Sequence, residues 1–378
     1  MPDYNQQAMR AHRRLGGKIG VYSRDKLDKL GKLHIYYTPG VGAASKAIAD
    51  DPKQARSLTG INNSVAVVSD GSSVLGLGDV GPLAALPVME GKAMIFEQFA
   101  GIDAHPIILG TQDPKQVVAA IKAIAPSFGG INLEDIAAPA CFYIEDQLRN
   151  QLEIPVMHDD QHGTAIVVLA ALINAFKLIK KDLAKAKIAI VGAGAAGSAV
   201  AHILTNFGVH DVVVVDSQGI LEPKRLGLDK YKRYLAQTTN PRRLDGNLLA
   251  ALINADAVVG VSRAKMLNKR LIKLMDDRPV VLALANPDPE ILPAEAKSGG
   301  AAVVATGRSD YPNQVNNALV FPGVFRGALD HQVKHITDRH KLVAASALAG
   351  LIKQPTAGRI LPSILDKRVV PTLAKVIK

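Results

Sequence analysis

From about residue 187 onward, short apolar runs alternate with glycine turns and helical stretches, and no other feature of the sequence narrows the fold so far. The runs cover residues 187–191, 211–215, 257–261, 279–285 and 302–306, and nearly every position in them is apolar. A strand with one wet face alternates apolar and polar residues, whereas a strand that is apolar throughout is buried on both faces. Strands of the second kind, joined by helices, make a parallel, doubly wound sheet. The expected fold class is therefore α/β, with a Rossmann-type, doubly wound module in the second half of the chain.

The first of these strands leads into Gly192-Ala193-Gly194-Ala195-Ala196-Gly197, and a helix is expected from near Ser198. Asp216 stands 19 residues after Gly197, at the end of the next strand. Glycines in this context let the backbone turn tightly and approach a pyrophosphate at the positive end of the helix, while the carboxylate accepts from ribose hydroxyls. The plainer reading is a glycine turn in a module that binds no nucleotide. If a dinucleotide does bind, Asp216 favours NAD over NADP by repelling a 2′-phosphate; Lys224 and Arg225 in the following loop oppose that preference.

The first half reads as mixed α/β. Residues 64–69 and 73–77 suggest a hairpin around Asp70-Gly71-Ser72, with Gly76 and Gly78 serving tight backbone geometry. Residues 114–125 and 144–151 look helical, and 131–133 looks like a short strand delivering Glu134-Asp135. The apolar run 165–176 is interrupted by Asn174 and falls short of the roughly 20 residues that cross a bilayer, so it predicts a buried helix. At roughly 150 residues per domain, 378 residues fit two domains, divided here as 1–162 and 163–378. The helical sequence after Phe321 is expected to pack back on the first.

Glu134-Asp135 and His158-Asp159-Asp160 bring four carboxylates into two loops that follow apolar segments. Carboxylates without thiolates are hard donors, suited to Mg²⁺ or Mn²⁺. The lone cysteine, Cys141, excludes an internal disulfide or a cysteine-built zinc site. Two readings fit equally: a metal site, or turn residues and a helix cap at Asp160. His158 and His162 read as structural partners. Lys92 lies in an apolar stretch where burial would ease loss of its charge, which suits a general base. Tyr37, just before a Pro-Gly turn, is able to present its hydroxyl to a cleft. By themselves both read as surface or packing residues.

The net charge of +11 raises the question of nucleic acid, but the basic residues are scattered and aromatics make up 4% of the chain. The expectation is solvated surface, with neither nucleic acid nor membrane as a partner. Residues 1–18 lack the apolar core of a secretory signal, and the expected location is cytoplasmic.

Several segments together resemble the malic enzymes, in particular their shorter bacterial and archaeal branch. They are Tyr37-Thr38-Pro39-Gly40-Val41, Val74-Leu75-Gly76-Leu77-Gly78-Asp79-Val80-Gly81, Met89-Glu90-Gly91-Lys92-Ala93, Asn132-Leu133-Glu134-Asp135-Ile136 and His158-Asp159-Asp160-Gln161-His162-Gly163-Thr164, followed by the glycine turn at 192–197. Later come Ala285-Asn286-Pro287-Asp288-Pro289-Glu290, Asn313-Gln314-Val315-Asn316-Asn317 and Phe321-Pro322-Gly323. The resemblance implies a metal- and substrate-binding first domain and a nucleotide-binding second one. It implies oxidative decarboxylation of malate to pyruvate with NAD, or NADP, and Mg²⁺ or Mn²⁺. Position by position it implies Glu134, Asp135 and Asp160 as metal ligands, Lys92 as general base, Tyr37 as general acid and Asp159 as the carboxylate that holds the lysine. Asn286 and one of Asn316 or Asn317 correspond to amides on the substrate and nicotinamide side, and a homodimer is implied. Ser73 departs from the pattern, since longer relatives carry there an arginine that grips a malate carboxylate; Arg326 is the candidate substitute. A malolactic enzyme, an activity expected of longer relatives, is the nearest alternative. A non-catalytic nucleotide-binding regulator is the alternative of another class, and the intact acid, base and metal set speaks against it.

Overall fold

The computed structural model describes residues 4–378. Helices α1 (Tyr4–Leu15), α2 (Leu30–Tyr36), α3 (Val41–Asp50) and the short α4 (Ala55–Leu58) lead into strand β1 (Ser64–Ser69), followed by α5 (Pro82–Ala100) and β2 (Asp103–Ile108). Then come α6 (Pro114–Ile124), β3 (Gly130–Leu133), α7 (Ala140–Gln151), β4 (Val156–His158) and the long α8 (Asp159–Ile179). The second module contains β5 (Lys187–Val191), α9 (Ala195–Phe207), β6 (Asp211–Asp216), β7 (Gly219–Ile220), α10 (Lys230–Thr238), α11 (Leu248–Leu252) and β8 (Ala257–Gly260). It continues with α12 (Lys269–Ile272), β9 (Val280–Ala283), α13 (Pro293–Ser298) and β10 (Val303–Thr306), and α14 (Phe321–Asp330), α15 (Asp338–Gly350) and α16 (Val369–Val376) follow.

The apolar runs of the second half become six strands in the order β10-β9-β8-β5-β6-β7, all parallel except β7, which turns back antiparallel on β6. From β5 the chain goes first to β6 on one side and later to β8 on the other. The carboxyl ends of β5 and β8 therefore flank the switch point where doubly wound sheets open a crevice. The first half supplies a second parallel sheet, β2-β1-β3-β4.

The hairpin expected around Asp70-Gly71-Ser72 is absent. β1 is buried along its whole length between two parallel neighbours, and residues 73–78 close only a small loop through an isolated bridge between Val74 and Gly78. Local alternation could not distinguish a hairpin arm from an inner strand, because partner choice is a tertiary matter. Gly76, at φ +74°, does serve backbone geometry: a Cβ there would come within 2.2 Å of the Asn286 carbonyl oxygen, so this loop fits against the second module only without a side chain.

One apolar cluster runs from Val65 and Phe96 through α8 to β5, β8 and the C-terminal helices. Phe96 of α5 meets Phe321 and Phe325 of α14, with ring centres 4.7 and 5.5 Å apart. Helix α8 is long and apolar enough to cross a membrane by length and composition, but it is packed inside the molecule against α9 and α15. By contrast α1, α2 and α3 bury none of their residues.

Candidate functional site

Strands β3 and β4 end side by side, and the residues that follow them form a buried ionic cluster. β3 delivers Glu134 and Asp135; β4 passes directly into α8, whose first turn carries Asp159 and Asp160. Asp160 is thus inside the helix rather than its cap, and both carboxylates sit at the positive end of the helix dipole. Lys92 reaches in from α5, with Nζ 2.5 Å from both Glu134 Oε1 and Asp159 Oδ2 and 4.3 Å from the centre of the Phe321 ring. Burial works against the Lys92 ammonium, but Asp159, Glu134 and Asp160 outweigh it and hold its pKa above the ordinary lysine value. Burial likewise pushes the Asp159 carboxyl up to about 7 despite the neighbouring lysine. Gly163, one turn along α8, is required here, because a Cβ would lie 1.8 Å from Asp159 Oδ1.

One oxygen each of Glu134, Asp135 and Asp160 lies within 4.8 Å of the other two. Burial first, and mutual repulsion second, raise the pKa of Asp135; burial also raises those of Glu134 and Asp160. Asp135 Oδ2 is buried without a hydrogen-bond partner, and Asp135 itself is held in the left-handed region at φ 54°, its N–H donating to Asp160 Oδ2 and its carbonyl accepting from Ser73 N–H. An orphaned carboxylate oxygen, three crowded acids and a wholly oxygen donor set fit a hard divalent cation. Of the two readings left open by composition, this geometry favours the metal corner over turn residues.

The cluster opens into a cavity of about 930 Å³ whose lining includes Lys92, Glu134, Asp135, Asp160, Asn286, Asn316 and Asn317. Ala195 and Ala196 line it as well, while Gly192, Ala193, Asp216 and Lys232 line an adjoining cleft of about 620 Å³; Gly194 borders both. Gly197 packs under the turn, where a Cβ would sit 1.9 Å from the Gly192 carbonyl oxygen. The glycine turn therefore lies where the two spaces meet.

Two expected residues are not brought to this site. Tyr37 is 67% exposed between α2 and α3 and does not line the cavity. Arg326 is spent elsewhere: its guanidinium pairs with Asp330, 2.6 Å away, and donates to Asn63 Oδ1, so it does not replace the arginine missing at Ser73.

Asp216 has more company than its position in the sequence suggests. Its Oδ2 accepts from Arg225 at 2.5 Å and Lys232 at 2.9 Å, and its Oδ1 from Gln218 N–H. Burial opposes this charge, but the two cations hold the carboxyl down at about 2. Lys224 is exposed and is not one of the cations paired with Asp216.

Reading the sequence also missed Glu145 and Asn132. Glu145 on α7 is buried and accepts from the His158 backbone N–H at 3.0 Å and from Gln161 Nε2 at 3.2 Å, and lies 2.9 Å from His162 Nε2. Burial opposes its ionisation, but His162 holds the carboxyl down at about 2. Asn132 donates to Glu134 Oε2. A polar residue inside a strand run, as Asn132 is, was the one available signal.

Residues 161–375 match the family described as Malic enzyme, NAD binding domain, and residues 19–116 and 110–149 match Malic enzyme, N-terminal domain. The bifunctional malic/malolactic enzyme of Bacillus subtilis (strain 168) is 47% identical over 375 residues, 98% of this chain and 92% of that one. The NAD-dependent malic enzyme of Geobacillus stearothermophilus is 49% identical over 358 residues, 94% of this chain and 75% of that one. The crystal structure of NAD-dependent malic enzyme from Thermotoga maritima superposes with a TM-score of 0.95 at 46% identity, covering 98% of each chain. The Bacillus relative is only slightly longer than the present sequence, so the expectation that malolactic activity goes with longer chains does not hold.

Proposed function

This chain belongs to the malic enzyme family, and from that premise we propose how its residues divide the oxidative decarboxylation of malate to pyruvate and CO2 with reduction of NAD(P). The observation that carries the assignment is Lys92, held between Asp159 and Glu134 at the edge of the three-carboxylate corner. Glu134, Asp135 and Asp160 hold Mg²⁺ or Mn²⁺. Bound there, such a cation would supply Lewis acidity to the C2 oxygen of malate and electrostatic stabilisation for the charge left as CO2 departs. Gly192 to Gly197 and Asp216 would hold the dinucleotide, which would supply the hydride acceptor for C2. Lys92 Nζ first passes a proton to Asp159 Oδ2, a carboxyl whose raised pKa suits such an exchange, and as the neutral amine then takes the C2 hydroxyl proton. Asn286, Asn316 and Asn317 orient malate and the nicotinamide with neutral donors and acceptors. The Tyr37 hydroxyl returns a proton to C3.

Tyr37 cannot do this from its place in a single chain, and Leu30, Leu33, Ile35, Tyr36, Tyr37 and Val41 form an uncovered apolar face around it. Faces of this kind on soluble proteins mark association. The working unit is a homodimer in which the face around Tyr37 packs on a second copy and Tyr37 serves the partner's Lys92. Mixing inactive Lys92→Ala and Tyr37→Phe subunits should regenerate activity, because half the sites of a mixed dimer are intact. No recovery would refute the shared site. The enzyme works in the cytoplasm, and its two modules divide near residues 162 and 163.

The basic test follows reduction of NAD and of NADP with malate and Mn²⁺, before and after chelation, and identifies the product. Turnover should vanish on chelation and return with Mn²⁺; full turnover without metal would remove the carboxylate corner from the mechanism. A malolactic side activity is the second reading, favoured by the Bacillus relative, and would appear as lactate.

A further inference from the structure

With Ser73 in place of an arginine and Arg326 turned away, the cavity still has to neutralise a dicarboxylate substrate. Among the described residues lining it, the basic side chains are His12, Lys18 and Lys92. Lys92 is committed to Asp159 and Glu134. His12 Nδ1 is engaged with the Ala8 carbonyl of its own helix, 2.8 Å away. That leaves Lys18.

Its position is built by the backbone. Helix α1 stops at Gly16 and Gly17, both in the positive-φ region at 65° and 134°, and the chain turns so that Lys18 N–H donates to Glu90 Oε2 at 3.2 Å. The Lys18 side chain then lies along α5. Nζ donates to the Pro87 carbonyl at 2.5 Å and stands 3.3 Å from where a Cβ of Gly91 would be, so Gly91 leaves room for it immediately before Lys92 in the helix. One N–H of the ammonium is used; two remain. Partial burial pulls its pKa below the ordinary lysine value, so a substrate anion would relieve a desolvated charge.

We propose that Lys18 is the substrate-carboxylate clamp of this enzyme, gripping the malate carboxylate that is retained in pyruvate. The inference rests on the malic enzyme reading above. The choice of carboxylate follows from charge: the group lost as CO2 sheds its negative charge in the transition state, and a cation fixed on it would resist the loss. The retained carboxylate keeps its charge from malate through oxaloacetate to pyruvate. A cation on it binds ground state and transition state alike, which lowers KM and leaves kcat nearly untouched.

The test is steady-state kinetics of Lys18→Ala, Lys18→Met and Lys18→Arg in the full enzyme with Mn²⁺. Both neutral variants should raise KM for malate and for oxaloacetate by about 10- to 100-fold, the scale of one charge-assisted hydrogen bond, with kcat nearly unchanged. Lys18→Arg should recover most of the affinity, and the NAD(P) KM, Mn²⁺ affinity measured by spin resonance and melting temperature should stay near wild type. Unaltered malate KM in both neutral variants overturns the proposal. So does a parallel loss of nucleotide or Mn²⁺ affinity, which would mark Lys18 as a brace for α5, and so does a rise in kcat, which would put the cation on the departing carboxylate. Wild-type turnover of malate is measured alongside: its absence defeats the family reading, whereas turnover with unaltered variants defeats only the clamp.

Discussion

The turn after β5 and the cluster after β3 and β4 border one cavity, yet they are made of different materials. The turn is backbone: Gly192 and Gly197 approach so closely that no side chain fits between them. The cluster is side chain: Lys92 and the acids Glu134, Asp135, Asp159 and Asp160 are carried by α5, the end of β3 and the start of α8, and all but the half-buried Asp160 are withdrawn from water. A backbone site tolerates little change in shape, whereas a side-chain site tolerates little change in charge. Substitutions can separate the two.

The largest effect is expected from Asp160→Ala, which removes a carboxylate from the corner and the acceptor of the Asp135 N–H. Malate oxidation and oxaloacetate decarboxylation should fall together by roughly 10³-fold or more, while nucleotide binding, followed by fluorescence of the reduced cofactor, survives. Loss of only one of the two activities would break the assignment of a common metal corner.

Glu145→Gln probes the same side from a distance. Its carboxylate anchors the His158 N–H and faces Gln161 and His162, so the substitution leaves every proposed ligand in place while loosening the turn that carries Asp160. Mn²⁺ affinity should drop by about 10- to 100-fold, as for other partners that orient metal ligands. Titration with Mn²⁺ checks this, and an unchanged binding curve would make Glu145 a packing residue only.

Gly197→Ala puts a methyl group 1.9 Å from the Gly192 oxygen and forces the turn apart. Overpacking of this kind costs about 1–3 kcal/mol, and the nucleotide KM should rise by about 10-fold with Mn²⁺ affinity intact. If Mn²⁺ binding weakens equally, the two sites are not independent and the contrast fails.

The smallest effect concerns cofactor choice. Asp216 alone points to NAD, but with Arg225 and Lys232 against it the carboxylate is neutralised, and Lys232 lines the cleft. We expect NADP to be accepted alongside NAD, and Lys232→Ala to lower kcat/KM for NADP relative to NAD by about 3- to 10-fold. An unchanged ratio would remove Lys232 from cofactor recognition.

The same contrast explains what the sequence made legible. A strand buried on both faces needs apolar letters, and a turn with no room for Cβ needs glycine, so β5, β6, β8, β9, β10 and the turn at 192–197 could be read almost to their ends. The side-chain site needed resemblance to lift it above alternatives, because Glu134, Asp135 and Asp160 are equally at home in turns and caps. Glu145 was invisible: a glutamate in a polar helix reads as solvated, and only the packing of α7 on β4 and α8 buries it. Lys232 was overlooked in favour of Lys224, nearer to Asp216 in sequence but turned outward; α10 brings the former back. Arg326 was misjudged because an acid four residues on, Asp330, captures it. Tyr37 differs again, since it stands exposed between α2 and α3 and does not line the cavity.

Helix α8 begins with the carboxylates of the reaction centre and continues for 21 residues, about 30 Å, through the middle of the nucleotide module. A division between residues 162 and 163 therefore cuts through this rod after its first turn. Shuffling the halves with those of a relative would have to match not a surface but the phase and tilt of one helix, on which a rotation of a single residue, about 100°, would swing Asp159 and Asp160 away from their partners. The seam between the two modules is where the molecule is least able to come apart, and fragments joined elsewhere should exchange more readily than fragments joined there.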